Sequence, residues 1–288
     1  MNLKSFAKVN LFLKVLRKRS DGYHSLKTIF ERINLTDSIA LKNRRDNLIR
    51  VKCSDKTLPC GEANLCFRAA KLLRDKFFPS GGVDIRITKR IPVGAGLGGG
   101  SGNAAAVLSG LNKLWGLKLS RVKLAKLAAR IGSDAAFFIY DLPFAMGSGR
   151  GERVKPLDNL RKSRLWHLLV VPKIHVSTPL IYENWDNFTG LTKPHCDVKI
   201  LLLALAKKGL PLKPGLLFNS LEQVTIRLYP EVKRVKYALS KLGLNSVLMS
   251  GSGPAVFAIT SSAKEALRLA GIIRKSHKSW RVFAVSTV

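Results

Sequence analysis

Residues 92–103 read PVGAGLGGGSGN, and five of the seven positions from 94 to 100 are glycine. A loop without Cβ atoms can fold back on itself and bring its backbone N–H groups close to a phosphate. The residues that follow turn abruptly to alanine and aliphatics, the start of a helix whose free N–H donors and positive end favour an anion. Pro92, Gly94, Gly96, Leu97, Gly98, Gly99, Gly100, Ser101, Gly102 and Asn103 read as a polyphosphate cradle, with a plain turn or flexible connection as the alternative for a glycine cluster alone. Two familiar phosphate loops do not fit. The Walker pattern ends in Gly-Lys-Ser/Thr, and this loop has no lysine. The dinucleotide pattern can be drawn through Gly94, Gly96 and Gly99, but the region about 20 residues on is basic, with no acidic ribose partner.

The loop must be held by the elements around it. Val83, Ile85 and Ile87 alternate, so 82–92 reads as a strand running into the loop. Ala104, Val107, Leu108, Leu111 and Leu114 recur at helical spacing over 104–115. A second helix follows with Ser120 as its N-cap and Gly132 as its stop, leading directly into GSDAAFFIY. Upstream, 6–16 alternates like a strand, Asp21-Gly22 marks a turn, 29–35 and 38–41 read as short strands, and 64–77 as a helix. The texture changes near Asp158, which divides the chain into 1–158 and 159–288. The second part contains a buried strand at 165–171, helices at 199–208, 230–242 and 262–275, and a strand at 281–285. Hairpin-like strands precede the first helix and no internal repeat is visible, so the fold class is α+β.

Composition narrows the function classes. The 288 residues are 46% hydrophobic, which suits a globular chain with a sizeable core. No apolar run approaches the roughly 18 residues of a membrane span. The basic first twenty residues lack a cleavage site and are read as part of the fold, in a cytoplasmic protein without membrane attachment. Cys53, Cys60, Cys66 and Cys196 form no metal or disulfide spacing and are read as reduced, mostly buried thiols. His167, His175, His195 and His277 are read as ordinary packing or surface residues. The formal charge of +32 comes from lysines and arginines scattered along the chain, with no nucleic-acid motif. It is read as a solvated basic surface rather than a specific nucleic-acid site.

Three stretches in order, AKVNLFLKV at 7–15, PVGAGLGGGSGNAA at 92–105 and SGSGPAVFAI at 250–259, resemble the small-molecule kinases grouped as galactokinase, homoserine kinase, mevalonate kinase and phosphomevalonate kinase. The resemblance implies a ribosomal-protein-like amino-terminal lobe for ATP binding and catalysis. It also implies a ferredoxin-like carboxy-terminal lobe for substrate, with ATP and Mg2+ in the cleft between. It matches Lys8 and Asp134 to the group's catalytic pair and residues 94–103 to its phosphate loop, with 251–254 bordering the site. The stretches DGYH and IGSDAAFF point within the group to an acceptor alcohol carrying a cytidyl diphosphate, lined by Asn10, Tyr23, His24, Thr178 and Tyr182.

The chemistry asks for the same residue types. Phosphoryl transfer is mostly positioning and charge neutralisation, plus a group to receive the hydroxyl proton. Asp134 can receive it, Lys8 can offset the charge that develops, and Tyr23 with Tyr182 opposite suits a flat base. The plain alternatives are a helix cap for Asp134, a solvated lysine, and packing tyrosines. Two departures stand out. Ala135 and Ala136 replace the group's valine and proline, and Gly102 replaces the second of two serines, which leaves the metal ligands open with Ser101 as a candidate. Rival readings are a kinase of the same fold acting on homoserine or mevalonate, and a catalytically silent RNA-binding relative.

Overall fold

A computed structural model describes residues 1–77, 79, 81–188, 197–207, 212–213 and 215–288. The first lobe is built from β1 (Asn2–Lys18), β2 (His24–Arg44), β3 (Ile49–Cys53), α1 (Leu65–Phe77), β4 (Gly82–Thr88), α2 (Gly99–Leu114), α3 (Arg121–Ala128), α4 (Ala135–Tyr140), β5 (Phe144–Gly149) and β6 (Arg153–Pro156). The remainder contains β7 (Trp166–Val171), α5 (Thr178–Asp186), α6 (Val198–Ala206), β8 (Phe218–Asn219), α7 (Glu222–Leu228), α8 (Pro230–Lys241), β9 (Val247–Met249), β10 (Val256–Thr260), α9 (Ala263–Ser276) and β11 (Arg281–Ser286).

The first sheet has the order β3-β4-β2-β1-β8, with β5 paired to β2 and β6 to β5; the second has the order β11-β7-β10-β9. Strand alternation decides what each face does. On β1, Ala7, Val9 and Leu11 enter a core shared with Leu169, Val171 and Phe257 of the second sheet. Lys8 and Asn10 lie between them in sequence and therefore face the other way, into the cleft. On β7 the intervening Leu168 and Val170 join Val235 of α8 and Leu269 of α9 in the second lobe's own core. The lobes are thus joined by apolar surface.

Several expectations change. The short strands expected at 29–35 and 38–41 are one continuous β2, because its pairing with β1 and β4 carries the backbone through the polar residues between them. The helix expected from 104 begins at Gly99, inside the glycine motif. Ser120 caps α3 as expected, accepting a hydrogen bond from Lys123 N at 3.3 Å, but the helix ends at Ala128 and runs out as turns to Gly132. The helix expected at 199–208 is α6, and Lys208 lies outside the described residues, as do His195 and Cys196. Of the described cysteines only Cys66 is buried, while Cys60 is exposed. β3, α4, β5, β6 and β8 were not legible from periodicity. Most are too short to show a period, and β8 gains its pairing only across the chain, parallel to Phe12–Leu13.

Candidate active site

Lys8 and Asp134, 126 positions apart, converge: Lys8 Nζ lies 3.3 Å from Asp134 Oδ2. Asp134 occupies the N-cap position of α4, yet its side chain makes no capping hydrogen bond. The carboxylate is turned to the lysine instead. Removing an ammonium from water costs several kcal/mol unless it is well paired. The Lys8 side chain is only 4% exposed. It donates to Asn10 Oδ1 at 2.5 Å, and the Phe30 ring centroid lies 5.6 Å from its nitrogen. Asn10 is fixed in turn, donating to Thr28 Oγ1 at 2.7 Å, which donates to Phe12 O at 2.7 Å. Register shifts in the β1–β2 pairing fall on both sides of this segment, between Phe6 and Ala7 and between Asn10 and Phe12. Bulges of this kind re-aim side chains next to active sites.

The glycine loop passes beside this pair. Lys8 N donates to Leu97 O at 3.0 Å. A Cβ on Gly96 would stand only 2.0 Å from Ser250 O, so that approach requires glycine; Gly98, at φ +65°, would place a Cβ 3.0 Å from the Lys8 side chain. The carboxy-terminal glycine motif closes the loop from the other lobe: Ser250 Oγ donates to Gly96 O at 3.0 Å, and Asn219 Nδ2 donates to Met249 O and Gly251 O at 2.8 Å each. Beneath the loop, the fully buried Asp37 accepts from Arg90 N at 2.7 Å and Ile91 N at 2.8 Å and pairs with Lys89. Asn103 is tied to the same carboxylate at 2.9 Å and to Ser5 Oγ at 2.9 Å, so it props the loop as well as lining the cleft.

At the far end, His24 stacks on Tyr182 with centroids 5.3 Å apart and an interplanar angle of 22°. Tyr23 does not lie against Tyr182; the residue is 54% exposed and its ring carries the Arg150 guanidinium at 4.8 Å. Thr178 Oγ1 lies 2.7 Å from Ser252 Oγ. His24 Nε2 donates to Asp186 Oδ1 at 2.6 Å, and Lys18 Nζ to Asp186 Oδ2 at 2.5 Å. Burial pushes the Asp186 carboxyl up, but these two hydrogen bonds outweigh it and hold the group below its ordinary value. Burial, and then the Asp134 charge, push the Tyr182 phenol up, so it remains a protonated donor.

One continuous cleft of about 930 Å³ joins these parts. Pro92, Gly94, Gly96, Leu97, Gly98, Gly99, Gly100 and Ser101 line it, as do Lys8, Asn10, Tyr23, His24, Asp134, Thr178 and Tyr182. Gly102 does not. A Cβ there would meet Phe6 O at 2.6 Å and Ser5 Oγ at 3.0 Å, so the serine missing at this position would point at β1 rather than at the cleft. Among the described residues no group of three His, Cys, Asp or Glu side chains could hold a metal by itself. The surroundings of His167, His175 and His277 are those of packing and surface residues, while His195 lies outside the described residues. His167 is buried against Glu31 at 2.8 Å, His277 stacks on Trp280, and His175 is exposed near Gly94.

The GHMP kinases N terminal domain matches residues 64–141, and the GHMP kinases C terminal domain matches 201–278. The 4-diphosphocytidyl-2-C-methyl-D-erythritol kinase of Shouchella clausii is 42% identical over 93% of this chain and 88% of its own length. The chain belongs to the 4-diphosphocytidyl-2-C-methyl-D-erythritol kinase family, within the GHMP kinases. The kinase of the same name from Bacillus subtilis is 41% identical over 92% of this chain and 90% of its own length. A crystal structure of 4-(cytidine 5'-diphospho)-2C-methyl-D-erythritol kinase superposes with a TM-score of 0.82 at 36% identity, covering 99% of this chain and 98% of that one. Homoserine kinase from Cytophaga hutchinsonii, 21% identical with a TM-score of 0.69 and covering 100% of this chain and 95% of that one, shares the fold. The two-lobed α+β kinase fold is therefore that of the family.

Against that family background, Ala135 and Ala136 are fully buried in α4 and leave Asp134 in place. Sequence reasoning missed Asp37, Lys89, Asn219 and Asp186, and quoted Ser250 only as the first residue of the carboxy-terminal glycine motif. Only Asp186 carried a local signal: it follows Thr178 and Tyr182 at four-residue steps, one stripe of α5.

Proposed function

We propose that this chain is an ATP-dependent kinase that phosphorylates the 2-hydroxyl of 4-diphosphocytidyl-2-C-methyl-D-erythritol in the non-mevalonate isoprenoid pathway. The observation that carries the reading is the Lys8–Asp134 pair beside the glycine loop, in one cleft with the His24–Tyr182 stack. In this reading residues 1–158 hold ATP and the catalytic pair. Residues 159–288 supply Thr178 and Tyr182 to the substrate side, and the first lobe adds Asn10, Tyr23 and His24.

The substrate hydroxyl attacks the γ-phosphorus, the bond from that phosphorus to the β–γ bridging oxygen breaks, and ADP leaves. Asp134 receives the hydroxyl proton. Lys8, held by Asn10 with little solvent around it, offsets the negative charge that builds on the transferring oxygens. The loop N–H groups and the start of α2 hold the nucleotide phosphates. Asn10 keeps the Lys8 ammonium in place, and His24, Tyr23, Tyr182 and Thr178 hold the cytidyl diphosphate. The donor set fits a magnesium ion carried in by ATP, because Mg2+ needs one or two protein oxygens besides the phosphates. Ser101 is the residue that would hold it, leaving Asp134 to the hydroxyl proton, and the ion would neutralise phosphate charge.

Purified protein is expected to convert ATP to ADP with the cytidyl substrate and not with homoserine or mevalonate. Turnover of either of those alone would transfer the case to a kinase of the same fold with another acceptor, and no turnover would favour a silent relative. Asp134→Asn keeps the shape of the side chain and is expected to lower kcat by about 10²–10⁴ with little change in either KM. An unchanged kcat would remove Asp134 from the mechanism.

A further inference from the structure

We infer that Asp186 is a positioning residue for the base-binding end of the cleft, holding the His24 ring and α5 in register with each other. The inference rests on the function proposed above and concerns one end of the same site.

Its placement breaks a local rule. Asp186 is the last residue of α5, where the negative end of the helix dipole disfavours a carboxylate. Tertiary partners must offset that cost, and both come from the other lobe. Lys18 is the last residue of β1 and His24 the first of β2, and the two are register partners across the hairpin. Asp186 takes one with each oxygen, joining the hairpin end to the second lobe.

The two arms are unequal. Lys18 is 59% exposed, and an exposed pair contributes little. The His24 side chain is 4% exposed and its bond is charge-assisted. That bond fixes the rotation of a ring that stacks on Tyr182 and meets Trp185 edge-on at 5.5 Å. Tyr182 sits one helical turn before Asp186, so a single carboxylate sets both aromatic groups. Among the described residues, the side-chain hydrogen bonds of Asp186 go only to Lys18 and His24, not to Lys8, Asp134 or the glycine loop. Its loss therefore acts on one substrate.

The test compares wild type with Asp186→Ala, Asp186→Asn and Lys18→Met, using steady-state kinetics and calorimetric binding of cytidine 5'-diphosphate. Asp186→Ala is expected to raise KM for the cytidyl substrate, and Kd for cytidine 5'-diphosphate, by about tenfold or more. KM for ATP and kcat at saturation should stay within about threefold, which also shows that the variant is folded. Asp186→Asn keeps an acceptor for His24 Nε2–H and should recover most of the affinity, and Lys18→Met should change it by less than about threefold. Unchanged cytidyl KM and Kd in Asp186→Ala would overturn the inference. So would a loss shared equally by ATP KM and kcat, the mark of a merely structural residue. Wild-type protein that binds no cytidine 5'-diphosphate would remove the functional reading first and this inference with it.

Discussion

Asp134 and Gly102 both sit at helix starts, and each departs from what its local position asks. An aspartate at an N-cap ordinarily contributes about 1 kcal/mol by accepting a hydrogen bond from the first turn. Asp134 forgoes that bond and faces Lys8 at 3.3 Å, the arrangement that the proposed proton acceptor needs and a cap does not. Gly102 lies inside α2, where replacing glycine by a residue with a Cβ should gain roughly 0.5–1 kcal/mol of helix propensity. The neighbouring backbone reverses that sign, because a Cβ would stand 2.6 Å from the Phe6 carbonyl oxygen. Overpacking of this kind costs about 1–3 kcal/mol. Gly102→Ser should therefore lower stability in urea titrations by a net ~1–2 kcal/mol, the overpacking cost less the propensity gain. A stabilised Gly102→Ser protein would mean that β1 moves aside freely.

Elements decide which residues meet. Period-two alternation in β1 sends Ala7, Val9 and Leu11 into the inter-lobe core and leaves Lys8 and Asn10 for the cleft. One added or deleted residue before Lys8 would exchange the two sets. The turn from β4 into the glycine loop depends on Asp37 in β2, whose fully buried carboxylate serves two backbone N–H groups, Asn103 and Lys89. Asp37→Asn keeps the shape and removes the charge, leaving the Lys89 ammonium, 7% exposed, without its counterion. Breaking one side of such a pair costs about 3–5 kcal/mol. The denaturation midpoint of Asp37→Asn should fall accordingly, and a midpoint within error of wild type would show that Lys89 swings out to water.

At the scale of the molecule, the lobes are held together in two ways. Behind the cleft lie the apolar core and a buried polar tie, in which Glu31 Oε1 accepts from Thr287 Oγ1 at 2.6 Å and lies 2.8 Å from His167 Nε2. At the mouth lies the Asp186 clasp. The chain carries 50 basic and 18 acidic residues, so its compact form works against self-repulsion. Acid places each remaining carboxylate pair at risk. The Asp186 carboxyl has a depressed folded value, so its contribution is present above the ordinary carboxylate range and is lost as pH falls through that folded value. The difference in Tm between wild type and Asp186→Asn should therefore be present above the ordinary carboxylate range and shrink as pH falls below it. A difference that stays constant across that range would contradict the assignment.

The order of the three motifs, the helices with sharp caps and the glycine loop were determined by the sequence itself, because each depends on residues adjacent in the chain. Ser120 caps α3 where its position predicts, and α9 begins where its helical spacing predicts, with Ser262 as its cap. What only the tertiary structure decided is what depends on partners far away in sequence. The choice of Lys8 over a capping bond by Asp134, the seal of Ser250 and Asn219 over the loop, and the capture of Asp186 by a hairpin from the other lobe are all long-range contacts. Hydrogen bonds and charge pairs act over a few ångströms, whereas the sequence records only chain distance. The fold alone converts one into the other.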